Sequence, residues 1–131
     1  MRRHWLSLSV VAAIIAVGPA GGRAAHDLGA DSLSATGDEL IVFEVTNCVY
    51  CALFRRDVLP RYQRSTRARS VPIRFVDART AAARQYKLAE PLQTVPTFVL
   101  MRRGREAGRV AGYTGPEPFF HFVRRMIGQA R

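Results

Sequence analysis

From residue 40 to the end of the chain, short apolar runs alternate with stretches of helical spacing. The apolar runs predict four strands, at residues 40–45, 72–76, 97–101 and 106–111. Helical spacing predicts three helices, at residues 49 to about 66, near 80–88, and after Pro116. The order β-α-β-α-β-β-α predicts an α/β fold with a four-stranded mixed sheet. A right-handed crossover joins its parallel pair, a hairpin adds antiparallel strands, and helices cover both faces.

Prolines and glycines mark the ends of several predicted elements. Pro60 lies inside the first predicted helix and is expected to kink it or end its first section. Gly104 supplies the permissive position of the hairpin turn. Pro116 and Pro118 open the last helix. Its predicted buried stripe consists of Phe119, Phe122, Val123, Met126 and Ile127.

The first residues have the features of an export signal. Arg2 and Arg3 give a basic start, and the apolar stretch from Leu6 to Val17 is short for a bilayer span. Small residues follow, and cleavage after Ala24 would remove residues 1–24 as a signal peptide. An uncleaved membrane anchor is the alternative. Export predicts a periplasmic protein.

The remainder of the chain predicts a single domain. Residues 25–39 are rich in Ser, Gly, Ala and Asp without clear periodicity, so we expect a mobile leader there. Residues 40–131 then form one domain with one core, because the remaining length leaves no room for a second.

The candidate chemistry centres on the only two cysteines, Cys48 and Cys51. They follow the first predicted strand and open the first predicted helix. A helix N-terminus stabilises a thiolate, so Cys48 is predicted to be the nucleophile and Cys51, one turn inside, the resolving thiol. A pair so close in sequence closes too small a loop to add much stability. The pair therefore indicates a working dithiol, which needs no organic cofactor.

Metal binding is the competing chemistry. Zinc prefers four ligands, and the remaining candidates His26 and His121 have no ligand spacing, so no metal site is expected. Two soft thiolates permit Cu(I) binding, however. A copper-binding or redox-sensing module without turnover is therefore the alternative to an enzyme.

A second motif, Thr94-Val95-Pro96-Thr97, opens the third predicted strand. A proline at a strand entrance suits a tight turn with a cis bond, which leaves the Val95 backbone free of local pairing. Together with Cys48-Val49-Tyr50-Cys51, this motif resembles the thioredoxin superfamily. The resemblance implies that Val95 and Pro96 face the cysteines and bind the substrate backbone, with Val49 and Tyr50 on the same docking surface. It implies protein thiols or disulfides as substrates.

The chain departs from ordinary thioredoxin at several points. Asn47 stands where thioredoxins place a tryptophan, and Val42 stands where they carry a buried acid. The extra N-terminal strand and helix of full-length thioredoxin are not predicted, because the residues before strand 40–45 are too few and too polar. The expected fold is the minimal thioredoxin fold.

The closest resemblance is to the small periplasmic thioredoxin-like proteins of bacterial sulfur-oxidation operons, the SoxS type. It implies a reductant that keeps the cysteine of a sulfur-carrier protein active. A reductase in the oxidising periplasm needs electrons from a membrane donor. The shared segments are Phe43-Glu44, Cys48-Val49-Tyr50-Cys51, Val58-Leu59-Pro60, Arg74-Phe75-Val76-Asp77, Val95-Pro96-Thr97-Phe98, and Gly104-Arg105-Glu106 through Arg109 to Gly112-Tyr113.

Glu44 is a carboxylate in a strand otherwise built from Leu, Ile, Val and Phe. Such a group is costly to bury unless it is protonated or paired. A protonatable carboxylate here would suit proton exchange with Cys51 during resolution. The alternative is that Glu44 points to solvent or pairs with an arginine.

The charge of the chain is strongly positive. The formal net charge is +10, and loss of Arg2, Arg3 and Arg23 with a signal peptide lowers it to +7. The excess suits attraction to an acidic partner or an anionic membrane surface, or is a solvated helix face in an arginine-rich chain. No nucleic-acid motif accompanies it, so nucleic acid is not an expected partner.

Overall fold

The computed structural model describes residues 37–129. The predicted signal peptide and most of the predicted leader lie outside these residues. The strands are β1 (Asp38–Glu44), β2 (Ile73–Asp77), β3 (Thr97–Arg102) and β4 (Arg105–Ala111). The helices are α1 (Val49–Asp57), α2 (Leu59–Gln63), α3 (Arg67–Ser70) and α4 (Pro116–Gln129). Among the described residues, no helix is long and apolar enough to cross a membrane.

The four strands form the predicted mixed sheet, in the order β2-β1-β3-β4. β1 pairs with β2 in parallel and with β3 in the antiparallel direction, and β3 pairs with β4 as the predicted hairpin. Because β1 is central, its residues Leu40 to Phe43 are fully buried. The parallel pair places the C-terminal ends of β1 and β2 at one end of the sheet, beside the cysteines.

Side chains that alternate along β1 build one core on each face of the sheet. Leu40 and Val42 face α1, α2 and α4, where Phe54 packs against Phe98 and Phe119 with ring centroids 4.7 and 5.1 Å apart. Ile41 and Phe43 face the opposite core, which the segment between β2 and β3 covers. The first core therefore anchors the helix that carries the cysteines.

The expected break at Pro60 is confirmed. The helix predicted at 49–66 is divided into α1, which ends at Asp57, α2 and α3, and Pro60 lies in the first turn of α2, where its missing N–H is tolerated. Two sequence predictions need correction. The helix expected near 80–88 is only a 3₁₀ turn at Ala83–Gln85, so a single turn and extended chain cover the second face. Phe122, expected in the buried stripe of α4, is 44% exposed.

The hairpin turn confirms the expectation for Gly104. Arg103 and Gly104 both have positive φ, 50° and 72°. Two successive residues in this region are typical of the two-residue turn that matches the twist of paired strands. Glycine adopts that backbone without strain, whereas Arg103 adopts it at a cost.

Tyr62 provides a prediction for stability. Its buried hydroxyl donates a hydrogen bond of 2.6 Å to the carbonyl oxygen of Val71, and burial raises the pKa of Tyr62 to about 12. Burial favours the neutral phenol in the folded state, so the stability that the Tyr62 hydroxyl contributes is complete below pH 10 and is lost as the pH rises towards 12. We expect Tyr62→Phe to cost about 1 kcal/mol at pH 8, and this cost to shrink as the pH rises above 10. Urea unfolding of both proteins at pH 8, 10 and 11.5 measures it. A difference that is constant over this range would contradict the prediction.

Candidate active site

The turn between β1 and α1 places Cys48 at the start of the helix. Asn47 has φ of 64°, a region that asparagine tolerates better than most residues. Cys48 is the N-cap of α1, and its Sγ accepts a hydrogen bond of 3.1 Å from the N–H of Cys51. The N–H of Cys51 and the positive end of the helix dipole therefore both favour negative charge on the Cys48 sulfur.

The two cysteines form a disulfide, with their Cα atoms 5.2 Å apart. They differ in accessibility, because Cys51 is 3% exposed inside α1 whereas Cys48 is only partly buried. Attack from outside the protein is therefore easier at Cys48. This asymmetry supports the predicted division of roles between nucleophile and resolving thiol.

The Val95-Pro96 motif lies directly against the disulfide, as the sequence predicted. The Val95–Pro96 peptide bond is cis, and the Val95 carbonyl oxygen lies 3.9 Å from Cys48 Sγ. The Pro96 carbonyl oxygen accepts a hydrogen bond of 2.8 Å from the N–H of Gly112, which holds the loop to the end of β4. Two segments 47 residues apart thus meet at one sulfur atom.

A cleft of about 640 Å³ opens beside the disulfide on the β1 side. Glu44, Cys48, Cys51 and Arg55 are among the residues that line it. Arg55 forms a two-point ion pair with Glu44, in which its Nε donates to Oε2 at 3.0 Å, and its guanidinium lies 3.6 Å from the centroid of the Phe75 ring. The arginine pair that the sequence left open for Glu44 is therefore present, within the same cleft as both cysteines.

An apolar groove of about 370 Å³ lies on the other side of the helix start. Tyr50, Leu53, Tyr113 and Pro116 line it. Tyr50 is 58% exposed and Val49 69% exposed, unusual values for large apolar residues. The Tyr113 hydroxyl is buried and has no hydrogen-bond partner within residues 37–129. Val49 and Tyr50 are thus exposed at the start of the helix that carries the disulfide.

The sequence did not single out two residues of this site. Arg55 lies one helical turn after Cys51, so the i, i+4 spacing puts both on one face of α1. This spacing could have placed Arg55 in the site, although it did not show that Arg55 would pair with Glu44. No local sequence signal pointed to Tyr113. Its position follows from a tertiary contact, in which the preceding residue, Gly112, is hydrogen-bonded to the Pro96 loop.

The structure also locates the candidate metal ligands. His121 lies exposed on α4, and His26 lies outside the described residues. Within residues 37–129, no three His, Cys, Asp or Glu side chains come together as a metal site.

The fold and the disulfide at the start of α1 define the class of protein. Residues 34–127 match the thioredoxin-like domain family, and the chain belongs to that family. No curated protein matches the chain.

Among solved structures, the chain is similar to the periplasmic thioredoxin SoxS from Paracoccus pantotrophus in its reduced form. The two are 35% identical, the TM-score is 0.68, and the match covers 72% of this chain and 99% of SoxS. A thioredoxin from Malassezia sympodialis is 18% identical, with a TM-score of 0.60 over 72% of this chain and 82% of its own. Mitochondrial thioredoxin 3 from Saccharomyces cerevisiae is also 18% identical, with a TM-score of 0.56 over 72% and 84%. The last two similarities show the fold alone.

Proposed function

We propose that the protein is an exported thiol–disulfide oxidoreductase that reduces protein partners in the periplasm. The observation that carries the proposal is the Cys48–Cys51 disulfide at the start of α1, with the more accessible sulfur beside the Val95 carbonyl. Dithiol exchange requires a stabilised sulfur, a second sulfur that is buried, and a backbone edge that binds the partner. Cys48, Cys51 and Val95 are in position to supply them.

In the reducing direction, the Cys48 thiolate attacks one sulfur of a partner disulfide. The partner S–S bond breaks, one partner sulfur leaves as a thiolate, and a mixed disulfide forms. The Cys51 thiolate then attacks Cys48 Sγ, which forms the Cys48–Cys51 disulfide and releases the second partner thiolate. Two electrons pass to the partner, and a dithiol donor must supply two electrons to restore the reduced form.

We place the partner against Val95, Pro96, Val49 and Tyr50. An extended segment of the partner would pair with the Val95 backbone and reach the exposed side chains at the start of α1. The apolar groove beside Tyr50 gives room for a large side chain next to the partner cysteine. Val49 and Tyr50 then stabilise the complex through apolar contact, while Cys48 carries out the exchange.

Similarity to SoxS supports the location of the reaction. SoxS is a periplasmic thioredoxin, and the match spans nearly all of it. We propose export through a signal peptide at 1–24, followed by a leader that ends where β1 begins at Asp38 and by a single domain from there on. We further propose a membrane electron donor, and a sulfur-carrier protein among the partners.

The redox state of the two cysteines in cells tests the reducing direction. Alkylation with a mass tag after rapid acid quenching separates the dithiol from the disulfide. We expect the dithiol to predominate in the periplasmic fraction of wild-type cells, and the disulfide to accumulate when membrane electron donors are lost. A protein that is fully oxidised in wild-type cells would contradict a role as reductant.

The accessible position of Cys48 predicts selective alkylation. Reduced protein treated with iodoacetamide at mildly acidic pH is expected to react first at Cys48, since its thiolate is stabilised by the helix start and the sulfur is less buried. Peptide mass spectrometry after partial labelling measures the ratio of the two products. Preferential labelling of Cys51 would reverse the assignment of nucleophile and resolving thiol.

Glu44 is proposed as the group that exchanges a proton with Cys51. Glu44→Gln keeps the shape of the side chain but removes the proton acceptor, so we expect mixed-disulfide resolution to slow by about tenfold or more. We expect its pH–rate profile to flatten as well. Arg55→Gln breaks the same ion pair and retains the carboxylate, so it serves as the matched control. Stopped-flow kinetics that slow equally in both variants, with unchanged pH profiles, would make the pair purely structural.

A further inference from the structure

Strand register defines two ends of the domain. Glu44, Asp77 and Thr97 lie at the end that carries the disulfide, which we call the redox end. Asp38 pairs with Arg102 at the other end, and the Leu40 N–H donates to the Pro72 carbonyl oxygen there. The start of β1, the β3–β4 turn and the chain from α3 into β2 therefore lie together, away from the cysteines.

Basic side chains from four separate elements gather at this second end, which we call the basic end. Arg67 and Arg69 belong to α3 just before Val71, whose carbonyl oxygen Tyr62 binds from α2. Arg103 and Arg105 belong to the β3–β4 turn. The full set is Arg64, Arg67, Arg69, Lys87, Arg103 and Arg105.

Contacts place Lys87 there as well, because Lys87 and Arg105 line one shallow cleft of about 270 Å³. Arg124 and Arg125 lie nearer the middle of the domain. A Cβ atom at Gly108, in the middle of β4, would lie 3.2 Å from the sulfur of Met126, and both arginines precede Met126 on α4, which begins at the redox end.

The charge of the basic end is not neutralised within the domain. Among residues 37–129, none of the six side chains forms an ion pair. Three acidic residues nearby pair with other arginines, Asp38 with Arg102, Glu39 with Arg74 and Glu106 with Arg109, and only Glu90 among the described acidic residues remains beside the cleft of Lys87 and Arg105. At the redox end, by contrast, Arg55 pairs with Glu44 and Arg79 with Asp77. Much of the excess positive charge of the described residues therefore lies at one end.

We propose that the basic end binds the surface of an anionic lipid bilayer. The charges lie at the C-cap of α2, on α3, at Lys87 and in the β3–β4 turn rather than around a deep pocket, which suits a broad anionic surface.

This orientation has a consequence for access to the disulfide. β1 runs from the basic end to the redox end over seven residues, which corresponds to about 23 Å. A protein bound through the basic end therefore keeps Cys48 and the groove beside Tyr50 directed into the aqueous phase. Soluble protein partners could reach the site while the domain stays on the membrane.

Vesicle binding tests the proposal with the protein recovered from the exported fraction. Sedimentation with phosphatidylcholine vesicles that contain about 30% phosphatidylglycerol, compared with vesicles of phosphatidylcholine alone, measures the preference for negative charge. We expect clear preference for the anionic vesicles, and its loss as salt is raised. Arg64→Gln/Arg103→Gln is expected to weaken anionic binding on the order of tenfold.

The matched control removes the same charge elsewhere. Arg79→Gln/Arg84→Gln changes two exposed arginines outside the basic end and is expected to change binding by less than about threefold. Equal loss in both double variants, or equal binding to neutral vesicles, would overturn the proposal. Retention on an immobilised acidic protein without vesicle binding would overturn it in favour of an acidic partner. Insulin reduction by Arg64→Gln/Arg103→Gln is expected to match the wild type, which keeps this test separate from the redox function.

Discussion

Replacing Cys51 with serine is expected to convert the protein into a covalent trap. Cys48 retains its helix start and its access to partner disulfides, but no second sulfur can break the mixed disulfide that it forms. Partners should accumulate as adducts that migrate as high-mass bands and disappear on reduction. Isolation of the tagged variant from an exported fraction, followed by mass spectrometry, identifies the trapped proteins.

Cys48→Ser is the matched control, because it leaves only the sulfur that is buried inside α1. We expect it to form no adducts. A sulfur-carrier protein with a functional cysteine among the adducts of Cys51→Ser would support the proposed partner. General disulfide substrates alone would remove that partner and leave the oxidoreductase. Adducts of equal abundance with both variants would contradict the assigned roles.

Truncation of Phe54 is expected to give the largest loss of stability. Its side chain is fully buried on α1, and its ring packs against four aromatic rings of the first core. Phe54→Ala removes this contact area and leaves a cavity, which costs about 3–5 kcal/mol. Because small domains have about 5–15 kcal/mol in total, this loss is a large fraction of the free energy of unfolding. Urea unfolding followed by circular dichroism measures it.

Phe122→Ala is the control for this loss. It makes the same chemical change at a phenylalanine that is 44% exposed on α4, so we expect a cost below about 1 kcal/mol. Phe54→Leu retains much of the volume and should fold even where Phe54→Ala does not. Similar losses for Phe54→Ala and Phe122→Ala would contradict the position of Phe54 at the centre of the core.

The sequence predicted the sheet well because each strand is bounded by a strong local signal. β1 contains the apolar run Leu40 to Phe43, and Gly104 and the Val95-Pro96 motif set the limits of β3. These features depend on residues near each other in the chain. The start of α1 at the cysteines was predictable for the same reason, since helix-start chemistry is local.

The predictions that failed depend on tertiary contacts. The alanine-rich start of the segment near 80–88 favours a helix locally, but Tyr86 and Leu88 instead pack against the second face of the sheet from a largely extended chain. Phe122 has helical spacing relative to Phe119, yet it lies at the edge of the stripe, beside the loop at Gly115. Helical periodicity predicts which face of a helix a side chain occupies, but it does not predict how far the neighbouring elements cover that face.

The candidate site was only partly predictable, because some of its residues carry local motifs and others are brought together by the tertiary fold. Both cysteines and Val95-Pro96 belong to recognisable motifs. The expected fold therefore predicted that Val95 would lie beside the Cys48 sulfur. The partner of Glu44 could not, because β1 and α1 must be positioned before Arg55, rather than another arginine, reaches its carboxylate. Likewise, the gathering of arginines at the basic end becomes visible only when the strand register is known.

Insulin reduction tests the central claim most directly. Protein reduced beforehand and freed of reductant is mixed with insulin, and the free thiols of insulin are counted by alkylation and mass spectrometry. The account predicts that wild-type protein reduces insulin disulfides while Cys48 and Cys51 become a disulfide, and that Cys48→Ser does neither. Wild-type protein that reduces no more insulin than Cys48→Ser would contradict the account and favour a redox-sensing or copper-binding module.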